Sequence, residues 1–402
     1  MTGSSMPPLR RVLFICRYFP PRWNIGAVRS WGLTRYLPQF GWETVLFVPP
    51  LEEGRWPTGI RIVEADWLSL GYRVKRLVGF PLPWPRRDLE DLVRREGIEA
   101  ILSTSTPMMA HRVGAALKKS LGIPWMADLR DLWSQNPFSR RGAFGRWRER
   151  REELRILAGA DALDTVTAPG ASQLAALHRR PVWHIANGFD PETVRPEGAP
   201  GDGRFTLCYT GSLYAGRQSF LPLLKALAIL RQDDRLSPGD LALRIFSPPS
   251  EELRRQISSI GVEDFVIQEG MVSRDRALEA QRQASVLVLL NWEGSDAEGI
   301  MSGKIFEYLA ARRPILAVGG NRTVATDLVA RTETGYHEND PGALAELLRR
   351  LRRSHCSGGI PFSPRKSDVE ACSQVEMARK VGAVLDALTG KGDASWVPRA
   401  IP

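Results

Sequence analysis

The chain is poor in the residues that build metal sites and disulfide frameworks. Its 402 residues hold four cysteines, Cys16, Cys208, Cys356 and Cys372, scattered and without the short spacings of either. They read as reduced thiols, as expected of a cytoplasmic protein. The five histidines form no ligand cluster, so neither a protein-held metal nor a cofactor is expected. No uninterrupted apolar run approaches the roughly 20 residues that cross a bilayer. Residues 1–11 lack an apolar core and do not read as a secretion signal. There is no short-period repeat, which excludes solenoids and arrays.

What is present is ordinary globular material, 43% apolar and 25% charged, in a length that fits two domains. The formal net charge of +10 leaves three classes of anionic partner open: nucleic acid, an anionic membrane surface and phosphorylated substrates. Three basic clusters carry much of that charge. Two of them, in residues 67–87 and 140–151, interleave aromatics with arginine, a pattern that suits an anionic bilayer, although solvated helix faces explain it as well. The third contains Arg349, Arg350, Arg352 and Arg353. The basic residues are spread over both halves with no recognition motif, so no nucleic-acid partner is expected.

Buried-strand runs alternate with helical patterns along the whole chain. The first half predicts strands at 12–16, 44–48, 100–103, 124–127, 162–166 and 182–185, with helices at 27–39, 107–121 and 147–157. The second half predicts strands at 205–211, 243–246, 265–267, 286–290 and 315–318, then helices at 341–353 and 369–388. The stretch 191–203 is rich in proline and glycine and is the best linker. The fold class is therefore α/β, with two Rossmann-like open parallel-sheet domains facing across a cleft. Ligands of such sheets bind beyond the carboxyl ends of the strands.

One segment points to chemistry. Residues 294–317 run from a glycine- and acid-rich loop into a helix carrying Glu307, between two buried-strand patterns. A small-residue loop at a helix N-terminus offers backbone N–H groups and a positive dipole end, which suits a phosphate. One carboxylate just inside the helix suits a sugar diol, because it accepts two hydroxyl hydrogen bonds. Together they suit a nucleotide or nucleotide-sugar.

Four places carry a resemblance to the family 4 glycosyltransferases of GT-B fold, over residues 11–388. They are Phe19-Pro20-Pro21 with Gly26 and Arg29; Ala186-Asn187-Gly188-Phe189-Asp190; the stretch from Tyr209 to Arg217; and Lys304-Ile305-Phe306-Glu307-Tyr308-Leu309. The last resembles a branch with Lys-Ile-Phe-Glu-Tyr in this helix. The resemblance implies an N-terminal Rossmann-like acceptor-side domain (9–187), a hinge (188–203), a C-terminal nucleotide-sugar domain (204–366) and a C-terminal helix (367–390) crossing back. It also implies a metal-independent, hexosyltransferase-like enzyme that retains anomeric configuration. The acceptor would be a glycan or a polyprenyl-linked lipid in cell-surface polysaccharide or glycoconjugate synthesis, met at the inner face of the membrane.

Site residues follow on those terms. Arg217 and Lys304 are candidates to neutralise a departing diphosphate, against surface cations. Gly26, Gly211 and Ser212 are donor-binding candidates for close backbone approach to phosphate, Gly26 near donor phosphate or acceptor, against structural turns. Glu307 is the ribose carboxylate, with Gly299, Ile300, Met301, Ser302 and Ile305 lining the donor. The family pattern places a first glutamate where this chain has Gly299, so Glu298, one position away, becomes the candidate sugar-contacting acid. Many members carry a histidine after the strand at 125–127, where this chain reads Asp128-Leu129-Arg130-Asp131. Asp128, Arg130 or Asp131 would then orient the acceptor or bind its phosphate, against a salt bridge among the three. Two rivals stand beside the transferase: a nucleotide-sugar 2-epimerase, and a non-catalytic scaffold that binds sugar nucleotides.

Overall fold

The computed structural model describes residues 8–67, 86–139, 141–194, 203–214, 216–294, 297–391 and 400–401. Two compact units divide the chain, Met1–Gly188 with Gln374–Pro402, and Phe189–Ser373.

The first unit holds a seven-stranded sheet in the order β3-β2-β1-β4-β5-β6-β7, every pair parallel. Its strands are β1 (Arg10–Ile15), β2 (Trp42–Val48), β3 (Arg61–Glu64), β4 (Ile98–Thr104), β5 (Trp125–Asp128), β6 (Ala162–Thr165) and β7 (Trp183–His184). Its helices are α1 (Ile25–Tyr36), α2 (Arg86–Arg95), α3 (Met109–Leu121), α4 (Ala143–Leu157) and α5 (Ala168–His178). The central strands are apolar on successive residues, not alternately, because both faces of a parallel sheet are covered. Thus Leu13 and Ile15 enter one core with Val45, Val113 and Trp125, whereas Val12 and Phe14 enter another with Leu33 and Trp42. The C-terminal helix α13 (Gln374–Leu388) completes the second core through Met377, Val381 and Leu385. It comes close because Gly382 has no side chain; a Cβ there would lie 3.2 Å from Phe40 Cβ.

The second unit holds a six-stranded parallel sheet in the order β10-β9-β8-β11-β12-β13. The strands are β8 (Phe205–Thr210), β9 (Leu241–Phe246), β10 (Val266–Gln268), β11 (Val286–Leu290), β12 (Ile315–Val318) and β13 (Gly335–His337). The helices are α6 (Leu221–Asp234), α7 (Glu251–Ile260), α8 (Arg274–Gln283), α9 (Lys304–Ala311), α10 (Val324–Thr332), α11 (Pro341–Cys356) and α12 (Lys366–Glu370). In both sheets the strand order reverses beside the first strand, between β1 and β4 and between β8 and β11. The loops leaving those strands are where such sheets bind ligands.

The two Rossmann-like units agree with the fold class read from the sequence. The helix expected at 369–388 is two, because the chain turns at Cys372-Ser373, where Cys372 O accepts from Phe189 N at 2.9 Å. Trp67, expected in a bilayer-facing stretch, is instead buried and stacked on Phe47 at 6.3 Å. Residues 68–85 of that stretch lie outside the described residues. In the third basic cluster, Arg349 pairs with Asp233, Asp234 and Glu346, and Arg352 with Asp240, so these arginines belong to a solvated salt-bridged face. Among the described residues no helix is long and apolar enough to cross a membrane.

Candidate functional site

In the second unit the site grows from the ends of β8 and β11. Gly211 follows β8 at φ +107°, a conformation that strains any residue with a side chain. It also makes room for Lys304, whose Cε lies 2.4 Å from where a Cβ on Gly211 would stand. Lys304 Nζ donates to Ser212 O at 3.2 Å and sits 5.0 Å from the Tyr209 ring centroid, a cation–π contact. The structure therefore brings Gly211, Ser212 and Lys304 together. Burial pushes the Lys304 ammonium down to about 8, partly offset by the charge of Glu307.

The Glu307 carboxylate, one turn into α9, accepts from Arg274 Nη1 at 2.6 Å and Gln281 Nε2 at 3.3 Å. Gln281 Nε2 also donates to Thr210 Oγ1 at 2.8 Å, which ties α8 to the end of β8. The Tyr308 hydroxyl accepts from Thr210 N at 3.2 Å and donates to Val288 O at 3.1 Å. It pins α9 across the point where the strand order reverses. The sequence reading missed Arg274 and Gln281, because nothing local links α8 to a carboxylate 33 or 26 residues further on. Tyr308 was inside the quoted motif, but without a role.

The loop before α9 is folded on itself. Ile300 N donates to Ala297 O at 2.9 Å, and Glu298 O accepts from Val324 N at 3.1 Å. Glu298 is exposed, and Gly299, Ile300, Met301 and Ser302 are half-buried. Ile305 departs from its expected role: its side chain is fully buried and its N–H donates to Ser302 O at 3.2 Å. Phe306 N likewise donates to Gly303 O at 3.3 Å. The helix start thus offers a ligand fewer free N–H groups than the sequence alone implied. Half-buried Arg217 closes the turn after β8, with its N donating to Tyr214 O at 3.0 Å and its O accepting from Glu293 N at 2.8 Å.

The first unit gathers a second group of residues. Asn24 accepts from Ala27 N at 2.9 Å and caps α1, so Gly26 lies in its first turn. The Arg130 guanidinium packs on it: a Cβ on Gly26 would meet Nη1 at 1.8 Å. Only 9% of the Arg130 side chain is exposed; among the described residues its Nε has no hydrogen-bond partner, and Nη2 lies 3.3 Å from exposed Asp131. A glycine, a helix N-terminus and a guanidinium therefore meet at the carboxyl edge of the sheet, an arrangement that suits an anion.

Asp128 departs from both readings made of it. It is buried, and its partner is Arg29 (Nε–Oδ2 2.8 Å, Nη2–Oδ1 3.2 Å), not Arg130. Thr104 Oγ1 donates to the same carboxylate at 2.8 Å. Arg29 Nη2 also meets Asp164 Oδ2 at 3.1 Å, and Nη1 donates to Ile185 O at 3.1 Å, Ala186 O at 3.3 Å and Asn187 Oδ1 at 3.2 Å. The Asp128 oxygens are taken up by Arg29 and Thr104, and Arg29 in turn holds the segment from Ile185 to Asn187. Burial, then the Asp128 charge, raises the Asp164 carboxyl well above its usual range, because one guanidinium cannot balance two buried carboxylates. His111 does not supply the missing imidazole: it is wholly buried, bonded through Nδ1 to Ser103 Oγ at 2.9 Å, and pushed down to about 4 by burial.

Known proteins resemble this chain in sequence pattern and in fold. The family model "Glycosyl transferase 4-like domain" matches residues 26–188, and "Glycosyl transferases group 1" matches residues 204–354. No curated protein sequence matches the chain. Among solved structures, the sucrose-phosphate synthase of Thermosynechococcus elongatus is similar at TM-score 0.64 and 16% identity, over 95% of this chain and 99% of its own. Anabaena HepE in complex with UDP and glucose is similar at TM-score 0.63 and 15% identity, over 94% and 100%. A protein of Listeria monocytogenes provisionally assigned as a UDP-N-acetylglucosamine 2-epimerase gives 0.59 and 11%, over 98% and 100%. These likenesses establish the two-domain Rossmann-like GT-B fold. With one glycosyltransferase model on each unit, the chain is indicated as a GT-B glycosyltransferase of the family 4 type, an enzyme of sugar transfer.

Proposed function

We propose that the protein is a retaining glycosyltransferase that moves a sugar from a nucleoside-diphosphate donor to a glycan or polyprenyl-linked acceptor. The observation that carries this reading is the pairing of Glu307 with Lys304 at the ends of β8 and β11. A carboxylate for the ribose diol stands three residues from a cation for the diphosphate, and Tyr308 and Gln281 fix the helix that bears both. HepE, of the same fold, is held in complex with UDP-glucose, which supports a nucleotide-sugar donor.

In this reading Lys304 and Arg217 balance the charge that develops on the departing diphosphate, the largest catalytic term available to a transferase without a metal. The anomeric carbon–oxygen bond to the phosphate breaks. The acceptor oxygen forms its bond on the same face, and its proton passes to the leaving phosphate oxygen. Exposed Glu298 is assigned to the sugar hydroxyls. On the acceptor side, Gly26 and Arg130 hold a phosphate and Asp131 orients the hydroxyl. The work is assigned to the cytoplasm, at the inner face of the membrane, in cell-surface polysaccharide or glycoconjugate synthesis.

Lys304 gives the reading a pH signature. Its free ammonium titrates near 8, and a bound diphosphate raises that value. Binding therefore takes up a proton above pH 8, and affinity falls as pH rises, by up to about tenfold per unit. Titration calorimetry from pH 7 to pH 9.5 measures the slope, and Lys304→Arg is expected to flatten it. Gly211→Ala introduces a Cβ at positive φ against Lys304 Cε and is expected to weaken diphosphate binding about tenfold at pH 7.

The reaction itself is tested by incubating the enzyme with each common sugar nucleotide and a mixture of glycan and polyprenyl-phosphate acceptors, followed by NMR of the anomeric proton. Retention of configuration in the product supports the reading. Inversion overturns the stereochemistry. Conversion of the donor to its C2 epimer without an acceptor would instead favour the epimerase.

A further inference from the structure

We propose that the outer face of α4 is a docking surface for an anionic lipid bilayer. This inference deepens the inner-face placement proposed above and rests on it, but it does not depend on the donor site, because it uses a helix of the first unit that shares no residue with that site. Helices on a sheet ordinarily bury their apolar stripe and expose their charges. α4 buries Leu157 and packs Ile156 on the core, but it also leaves apolar side chains facing solvent. Phe144 is 75% exposed and Trp147 52%, and Leu154 is exposed as well. The positions 144, 147, 151 and 154 follow helical spacing and form one stripe.

The acids of α4 are turned away from that stripe. Glu149, 12% exposed, pairs with Arg141 at 2.9 Å; Glu152, 18% exposed, pairs with Arg112. Glu153 is wholly buried, accepting from Ser134 N at 2.9 Å and facing His178 Nε2 at 3.3 Å. Arg146, Arg148, Arg150, Arg151 and Arg155 are all exposed. The solvent face therefore carries positive charge and apolar rings with no exposed carboxylate. Phe144 and Trp147 stack at 5.7 Å, and Arg151 lies 5.0 Å from the Trp147 ring centroid.

Each part fits a bilayer headgroup region. Guanidinium groups bind lipid phosphates and stay hydrated less strongly than ammonium groups. Tryptophan and phenylalanine settle at the headgroup–acyl boundary. Rings with arginines also suit nucleic acid, but exposed Leu154 continues the stripe with an aliphatic side chain that neither stacks on a base nor binds a phosphate and suits the acyl boundary. The occupant that matches rings, an aliphatic side chain and arginines on one face is a membrane of anionic phospholipid.

The test is flotation of the full-length protein with phosphatidylcholine vesicles, with and without phosphatidylglycerol, at low and high salt. Wild type is expected to float only with phosphatidylglycerol and to dissociate as salt rises. The double variant Phe144→Ser, Trp147→Ser and the triple variant Arg148→Ser, Arg151→Ser, Arg155→Ser should each weaken binding about tenfold or more. Both variants should keep the wild-type melting temperature, since they alter exposed side chains alone. Failure of wild type to bind phosphatidylglycerol vesicles at low salt overturns the proposal, as does undiminished binding by both variants. Loss in the arginine variant alone, with equal capture of wild type by duplex DNA, would make the face a general polyanion site and would also overturn it. Nucleotide binding measured on the same variants reports on the donor site separately, so failure of one reading is distinguishable from failure of the other.

Discussion

Glu307→Ala is expected to weaken nucleoside-diphosphate binding by roughly 100-fold or more. A carboxylate that accepts from two ribose hydroxyls makes two charge-assisted hydrogen bonds, each contributing about 1.5 kcal/mol or more, and about 1.4 kcal/mol is a factor of ten. Glu307→Gln keeps one acceptor oxygen and should fall between the two. The side chain of Glu307 is 28% exposed and already oriented by Arg274 and Gln281, so little conformational freedom remains to be lost when the ribose arrives. Because the ribose is remote from the reacting carbon, the loss should appear in KM more than in kcat. Steady-state kinetics on the donor, together with calorimetry on the diphosphate, separate the two quantities.

Arg29→Met is expected to destabilise the first unit by about 3–5 kcal/mol, the range for breaking a buried ion pair by removing one partner. Two carboxylates, Asp128 and Asp164, would be left buried without a cation, and the carbonyls of Ile185 and Ala186 would lose a donor. Asp164→Asn should behave differently. The Asp164 carboxyl is raised above its usual 3.8, so folding binds a proton. That contribution is fully present below the unfolded value and is lost as pH rises through the folded one. The asparagine variant imitates the protonated group, keeps the Arg29–Asp128 pair and removes the slope. Urea titrations of wild type and both variants across pH 4 to pH 8 check the prediction. A stable Arg29→Met protein, or a slope unchanged in Asp164→Asn, would remove the cluster from its structural role.

The sequence exposed some of this and hid the rest for physical reasons. The strands of both sheets were legible because a parallel strand covered on both faces is a short unbroken apolar run, as at Val286–Leu290. Asp164 lies inside such a run and went unremarked, because its role depends on Arg29, which lies 135 residues earlier. Gly211 and Lys304 were marked separately, by turn chemistry and by motif; only the fold shows that the missing Cβ of one makes the space for the other. Arg274 and Gln281 were illegible, since polar residues on a helix look alike until a partner is known. Trp67 was misread because an aromatic beside basic residues has the same local pattern whether it faces solvent or packs on Phe47. The charge segregation of α4 was half legible: its arginines and aromatics were in view, but the inward turn of its glutamates was not.

The most direct measurement is calorimetric titration of wild type, Glu307→Ala and Lys304→Ala with UDP, GDP, ADP, CDP and dTDP. One saturable site per chain is expected for at least one diphosphate in the wild type, weakened roughly 100-fold by Glu307→Ala and also weakened by Lys304→Ala. Binding of equal strength in all three proteins, or no binding of any diphosphate to the wild type, would contradict a donor site at the ends of β8 and β11.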